Sequence, residues 1–556
     1  MNITAVQAVL CGIVYWLAVG NLPFVGLWTL QRPLVCGTVV GLILGHPVEG
    51  AVIGASISLV YIGFVSAGGS MPADISLAGI LGTVYAVSSG VDASTALTLA
   101  VPIGLLGTVI WTGRMTLDSI FVHLADRYIE KEEYYKIWRA NVLFPQLLCA
   151  AMAIVPCALA AYFGSTYVST LVSLLDGRVL TIMQIIGGLM PCLGIAVTLL
   201  YIFEGEAKIF LFIGFLLAAY TEIPVHMIGA IAVLSAILYV RLRDGRQAEP
   251  AHDAWEESGE DAAEPDEEER GETELTGQQR GLIPKAALVR AWLIWETFPQ
   301  TCYNYERMMG QHMAHMFVPL LRYLYPGQLE KRQELMKREI TFFNTHVEFG
   351  ACVPGMTIAL EEQMAMSGMV TDSLIKNLKT AFMGSLAGIG DTLWQGVFLP
   401  VMLGFCIDIT NFGGGNIWGA VIYTVVVIAA ACVISYLNFM FGYRMGGSAI
   451  VELLEHGTLK KLIKGASIMG CMVMGALIVK YVSCVCGMAF TFSGTTYNLQ
   501  TDLFDVICPY ILPLSVTMLA YYLLKRRGWS TLKVLLLLIA LGVIGSATGI
   551  LSSGIA

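Results

Sequence analysis

The sequence predicts an all-α polytopic membrane protein: two membrane modules with broken or re-entrant helices, the second with a cytoplasmic amphipathic helical region. Three observations carry that prediction. Of 556 residues, 56% are hydrophobic and only 13% charged, whereas a soluble domain keeps about a quarter of its residues charged to cover its surface. Mean hydropathy is +0.71. Apolar runs such as 4-TAVQAVLCGIVYWLAVG-20, 421-VIYTVVVIAAACVISYL-437 and 533-KVLLLLIALGVIGSATGILSSGIA-556 approach or reach spanning length.

The first run has no basic stretch before it and no small-residue cleavage site after it. It reads as a retained membrane helix, not a removable leader. Further apolar segments near 35–63, 75–113, 142–163, 178–202 and 207–240 are rich in glycine and proline. Several are too short or too interrupted to span simply. In lipid such breaks survive only where the backbone is buried in protein or lines a polar cavity. A charged amphipathic loop, 123-HLADRYIEKEEYYKIWRAN-141, separates two of them.

The formal charge of −9 is concentrated in one place. Residues 244–274 hold fourteen acids and two arginines, roughly −12, which leaves the remainder at roughly +3. That run is poor in aliphatics, so it cannot bury a core and reads as a solvated tether. It divides the chain into a first membrane module at 1–243, an acidic linker at 244–275 and a second module at 276–556. The second module opens with charged helical periodicity over about 284–380, as in 328-QLEKRQELMKREITFFNTH-346. Its Lys and Arg content assigns this region to the cytoplasmic side. Spanning segments follow near 395–408, 416–440, 465–490, 504–524 and 532–552.

The 13 cysteines are scattered through apolar segments and read as small buried hydrophobes. Cys484 and Cys486 stand too close together for a zinc or redox pair. Nothing suggests a nucleic-acid surface or a cofactor. His346 and its neighbouring acids follow no zinc spacing, so no metal is expected.

Polar groups inside apolar sequence are the functional candidates, because an intramembrane acid is expensive and marks a ligand or ion pathway by default. In 50-GAVIGASISLVYIGFVSAGGSMPAD-74 the small residues Gly54 and Gly63 read as close helix packing, and Asp74 reads as a ligand group. In 27-LWTLQRPLVCG-37, Gln31 can hydrogen-bond a ligand while Arg32 snorkels to the interface. In the second module, 342-FFNTHVEFGACVPGMTIALEEQMA-365 gathers Asn344, His346, Glu348, Glu361 and Glu362. The run 381-AFMGSLAGIGDTLWQGVFLP-400 holds one bare acid, Asp391. Its glycines do not make a nucleotide cradle: no Lys-Ser/Thr pair follows, and Asp391 would repel phosphate. They read as a break or close packing in a membrane helix, with Asp391 on its polar side.

The motifs YNYERM, 322-RYLYP-326, 342-FFNTH-346, 359-ALEEQ-363 and 383-MGSLAGIGDTLWQG-396 closely resemble the IID component of the mannose–fructose–sorbose family of phosphotransferase sugar permeases. QRPLV, the GAxxGAS-type glycine run and the proline-to-Asp74 turn make the first module resemble the family's IIC component. The resemblance implies a IIC–IID fusion in the bacterial inner (cytoplasmic) membrane, assembled as a homotrimer. It implies import of a hexose-type sugar coupled to phosphorylation by a soluble IIB component, charged in turn by IIA and, indirectly, HPr. It also implies that Gln31, Ser58, Ser66, Asp74, Asn344, His346, Glu361 and Asp391 bind sugar hydroxyls while the phosphohistidine donors lie on other chains. No nucleophile is then required here, because positioning supplies much of the catalysis in phosphoryl transfer. Hexose-specific members tend to have Glu where this chain has Ser58 and Asn where it has Ser66, which keeps hexosamines, ketoses and glycated compounds open. Val347 replaces a usual proline. The rival reading is an ion-coupled secondary transporter using Asp74 and Asp391.

Overall fold

The computed structural model describes residues 3–552 apart from 22–25, 65, 67–70, 72, 91–92, 175–176, 222, 224, 248–281, 369, 447–457 and 493–494. The acidic run therefore lies outside the described residues from 248 onward.

Helix α1 (Ala5–Val19) begins at a capping box, Thr4 and Gln7 satisfying each other's backbone N–H. The predicted segment 35–63 is a hairpin of two short helices, α2 (Pro33–Leu44) and α3 (Pro47–Val60). Proline opens each where its missing N–H costs nothing, and Gly45, at φ 84°, closes α2 in the left-handed conformation. The two arms touch backbone to backbone. A Cβ on Gly50 would lie 2.5 Å from the Gly37 carbonyl oxygen, and Gly54 and Gly63 likewise face the carbonyls of Pro33 and Gly194.

Helix α4 (Ile75–Ser89) leads to α5 (Ala93–Glu130), whose 38 residues span roughly 57 Å at 1.5 Å per residue. That exceeds a hydrocarbon core of about 30 Å, so α5 projects beyond the bilayer. The loop expected at 123–141 is helical as far as Glu130, a correction that follows from the length of α5. Short turns lead on to α6 (Phe144–Leu174), followed by α7 (Gly177–Ile202), α8 (Ala207–Tyr220) and α9 (Val225–Gln247). Helix α9 runs four residues into the predicted linker.

The second module starts with α10 (Lys285–Thr297), α11 (Gly310–Phe317), α12 (Leu321–Leu324), α13 (Leu329–Glu339) and α14 (Cys352–Ser367). Helix α15 (Asp372–Gly390) then widens into a π turn, Asp391–Phe398, and resumes as α16 (Leu399–Asn411). The helix expected to break at Asp391 thus continues with one wide turn. Helices α17 (Trp418–Met445), α18 (Thr458–Tyr481), α19 (Ile511–Lys525) and α20 (Thr531–Ala547) complete the module. The span expected over 465–490 ends at Tyr481. Strands β1 (Val485–Cys486) and β4 (Leu551–Ser552) pair, as do β2 (Ala489–Phe492) and β3 (Thr495–Asn498), all antiparallel.

Among the described residues, Ala96–Glu130, Tyr134–Gly164, Asp372–Gly414, Trp418–Arg444 and Lys464–Tyr481 are long and apolar enough to cross a membrane. Gln500–Ile507 and Ile511–Lys525 form a further span bent by 66°. Their outward faces are apolar: Leu106, Val109, Val155, Val425 and Leu437 are exposed, as expected of a lipid-facing surface.

The two modules interlock. One apolar core holds Ile202 and Phe215 of the first with Met472 and Leu477 of the second. Helices α8 and α18 meet through glycine: Gly214 and Gly475 lie against the carbonyls of Met472 and Leu211. The projecting part of α5 is built into a second core with α10, α11, α13 and α14, and Arg307 makes a bidentate pair with Asp126 at 2.7 and 2.9 Å.

Candidate functional site

A small polar cavity of about 50 Å³ lies where the modules meet. The first module supplies Trp28, Gln31, Phe64, Ser66, Met71 and Trp111. The second supplies Gln300, Tyr303, Asn344, Thr345, His346, Val347, Ala387, Asp391 and Gln395.

Local structure sets these groups in place. Trp28 stands in a π turn, Gly26–Leu30, at φ 70°, a strained setting for a bulky residue that neighbouring contacts must hold. Its indole N–H donates to Glu348 Oε1 at 2.7 Å, and its ring stacks on His346 at 5.9 Å and 10°. Opposite, Tyr303 tilts against Trp111 at 6.2 Å and donates its hydroxyl to Asn344 Oδ1 at 2.8 Å. Burial pushes the Tyr303 phenol above its ordinary pKa, so it stays a donor. Where α15 widens, Gln395 donates to Asp391 Oδ1 at 2.7 Å and accepts the Ser66 N–H at 2.9 Å. One amide thereby ties the π turn to Ser66 of the other module. π turns of this kind recur at functional sites because they re-aim side chains.

Gly390 explains part of the glycine run. A Cβ there would overlap the His346 ring, whereas Gly384 and Gly388 have nothing within 4 Å. The close packing expected of the run is therefore confined, among those three, to Gly390. Neither ring nitrogen of His346 makes a hydrogen bond among the described residues, and the Thr345 hydroxyl is equally unbonded. His346 Nδ1 stands 3.0 Å from Glu348 Oε2.

Five of the eight sequence-predicted residues meet here: Gln31, Ser66, Asn344, His346 and Asp391. Three do not. Ser58 is buried within the α2–α3 hairpin, its hydroxyl accepting the Leu34 N–H at 2.8 Å. Asp74 caps α4 by accepting the Leu77 N–H at 2.9 Å and takes the Tyr15 hydroxyl at 2.5 Å. Glu361 is fully buried against Arg338 at 2.6 and 2.7 Å, with Asp372 as that guanidinium's other partner. Its neighbour Glu362 accepts the Leu282 and Ile283 N–H groups and the Tyr443 hydroxyl. These acids hold the fold. Arg32, expected to snorkel, is 1% exposed, because α2 carries it inward at the module junction.

Sequence reasoning did not single out Trp28, Trp111, Gln300, Thr345 or Gln395. Gln395 was the most accessible of them, four residues after Asp391 and so on the same helix face.

Fold and site together define a polytopic helical permease with a polar cavity at the junction of two modules. Residues 5–238 match the family model described as the phosphotransferase system sorbose-specific IIC component, and residues 283–551 that of the mannose/fructose/sorbose family IID component. The chain belongs to the mannose/fructose/sorbose family of phosphotransferase-system sugar permeases, with IIC and IID components in one polypeptide. The mannose-specific EIID component of Escherichia coli K12 is 32% identical over 258 residues, covering 45% of this chain and 89% of that one. The EIIC component from the same organism is 28% identical over 244 residues, covering 44% and 91%. A solved membrane-protein structure at 30% identity aligns over 48% of this chain and 98% of its own with a TM-score of 0.44.

Proposed function

We propose that the junction cavity is the sugar site, and that the chain imports a hexose-type sugar or derivative across the bacterial inner membrane. A separate IIB component, charged by IIA and indirectly by HPr, phosphorylates the sugar there, and the chain works as a homotrimer. The supporting observation is the cavity's chemistry. The Trp28, Trp111 and Tyr303 rings offer flat apolar faces, while the groups of Gln31, Asn344, Thr345, His346 and Asp391 converge between them. A pyranose or furanose presents the matching pattern, apolar C–H faces rimmed by hydroxyls that both donate and accept. His346 Nε2 and the Thr345 hydroxyl, unbonded and buried, are free to engage such hydroxyls, and hydroxyls positioned by these groups need no protein nucleophile.

Uptake into membrane vesicles tests the reading. Phosphoenolpyruvate-dependent accumulation of sugar phosphate, requiring added IIA and IIB proteins, is expected. Accumulation of unmodified sugar driven by a proton or sodium gradient would overturn it in favour of secondary transport.

A further inference from the structure

Behind the cavity's Trp111 wall stands a buried cation, Arg114. It lies three residues after Trp111 on α5, hence on the same helix face, and its guanidinium carbon is 5.7 Å from the Trp111 ring centroid. Arg114 is 2% exposed and does not line the cavity. Its Nη1 donates to the Val19 carbonyl. Its Nη2 donates to the Gln300 and Thr301 carbonyls at 3.1 and 2.9 Å. One guanidinium thus joins the first module to the second at the edge of the site.

Each acceptor belongs to backbone that has no hydrogen-bond ladder of its own. Val19 is the last residue of α1, whose final carbonyls lack intrahelical partners. Gln300 and Thr301 follow the end of α10 at Thr297 and lead directly to Tyr303. Thr301 is fully buried, so its carbonyl needs a donor from the protein. Asn21 adds a parallel link, its amide donating to Gln300 Oε1 at 3.3 Å. A guanidinium carries its N–H donors in a rigid planar fork, so Arg114 fixes the Trp111 ring and the turn before Tyr303 relative to each other. Asp118, one turn further along α5, offsets the charge. Its Oδ2 lies 3.4 Å from Arg114 Nε, and neither of its oxygens accepts a hydrogen bond among the described residues. The ion pair and the carbonyl bonds therefore use different edges of the guanidinium.

Building on the assignment of the cavity to sugar, we propose that Arg114 is a positioning residue of the sugar site. It holds the Trp111 and Tyr303 rings, which meet at 6.2 Å, in the arrangement that receives the sugar, and it touches no sugar itself. It does so through its three carbonyl bonds and not through its pair with Asp118. Affinity and stability then separate. Affinity follows the carbonyl bonds, whereas stability follows the ion pair, because a buried charge deprived of its partner is strongly destabilising.

Calorimetric affinities of the full chain in lipid nanodiscs, with mannose, fructose, sorbose and glucosamine as probes, test this beside unfolding scans. Asp118→Asn should lower the unfolding midpoint while affinity stays within about twofold of wild type. Arg114→Gln combined with Asp118→Asn removes both charges together, and affinity should fall about tenfold or more. In a Trp111→Ala background the same double substitution should cost about threefold or less, since a wall already removed cannot be misplaced. If the double variant does not fold, Arg114→Lys carries the same expectations, because it keeps the charge beside Asp118 but lacks the planar fork. Unchanged affinity without the guanidinium would overturn the proposal while leaving the sugar site standing. So would an equal loss in both Trp111 backgrounds, or Asp118→Asn weakening binding as much as the double substitution. Failure of the wild-type chain to bind any of the four sugars would overturn the cavity assignment, and the proposal with it.

Discussion

The side-chain oxygen of Gln395 accepts the backbone N–H of Ser66 at 2.9 Å, while the same amide donates to Asp391 Oδ1 at 2.7 Å. A single side chain thus sets both the carboxylate's orientation and the position of Ser66 in the other module. Gln395 is 2% exposed, so no solvent replaces it. Gln395→Leu removes both bonds, which together are worth roughly 1–3 kcal/mol. Sugar affinity should fall about 5- to 150-fold, and the unfolding midpoint should fall with it, because the same two bonds join the modules. Calorimetric titration beside an unfolding scan checks this, and unchanged affinity would remove Gln395 and Asp391 from the site.

The glycines of the same run separate by geometry. Gly390→Ala places a methyl group inside the His346 ring and must move that ring off Trp28. Gly388→Ala meets nothing within 4 Å and should stabilise the helix by roughly 0.5–1 kcal/mol through reduced chain entropy. Sugar binding should be lost in the first variant and kept in the second. The part of the tryptophan fluorescence change that is lost in a Trp28→Phe background reports the displacement.

Arg338 and Glu361 carry the opposite kind of prediction. Arg338 donates to both Glu361 oxygens and to Asp372, and stands beside Glu339, itself paired with Lys379 at 3.1 Å. Removing one partner of a buried pair leaves the other charge unpaired, at a cost of about 3–5 kcal/mol. Arg338→Leu should therefore lower the unfolding midpoint sharply. Protein that remains folded in the cold should bind sugar with wild-type affinity, since none of these residues lines the cavity.

Membrane class, helical content and the two-module division were legible because composition and apolar run length decide them. The cavity was legible only in fragments, since its walls come from chain segments hundreds of residues apart. Gln31, Ser66, Asn344, His346 and Asp391 stood out as polar groups in apolar or motif-bearing stretches. Asp74 stood out for the same reason, yet an acid just before an apolar helix is also an N-cap, and that is how the structure uses it. Glu361 drew notice as a paired acid at the end of an apolar stretch. Its partner Arg338 sits 23 residues earlier, across a turn whose geometry no spacing reveals. The aromatic walls were hidden most deeply. Trp28 and Trp111 look like any membrane tryptophan until tertiary packing sets one on His346 and the other beside Tyr303.

Two buried imidazoles of α11 make acid stability a readout of the second core. His312 donates its Nε2–H to the Trp295 carbonyl at 3.1 Å, and His315 Nδ1 faces the Asn141 amide at 3.3 Å. Burial, with His315 adding to it, lowers His312 to about 3, and burial lowers His315 to about 4. Both folded values lie below the ordinary histidine value of about 6.5. Above pH 6.5 both states hold neutral imidazoles and the groups contribute no pH dependence. As pH falls below 6.5 the unfolded chain takes up protons that the folded chain refuses, so stability declines by about 1.4 kcal/mol per pH unit for each histidine. The decline from this source ends near pH 3–4, where the folded imidazoles also protonate. Denaturant unfolding of wild type and His312→Gln between pH 8 and 4.5 should show two curves that run parallel above 6.5. Below it they should converge or cross, as the variant loses stability less steeply. Curves that stay parallel down to pH 4.5 would show that His312 is protonated in the folded protein, and hence that α11 is open to water.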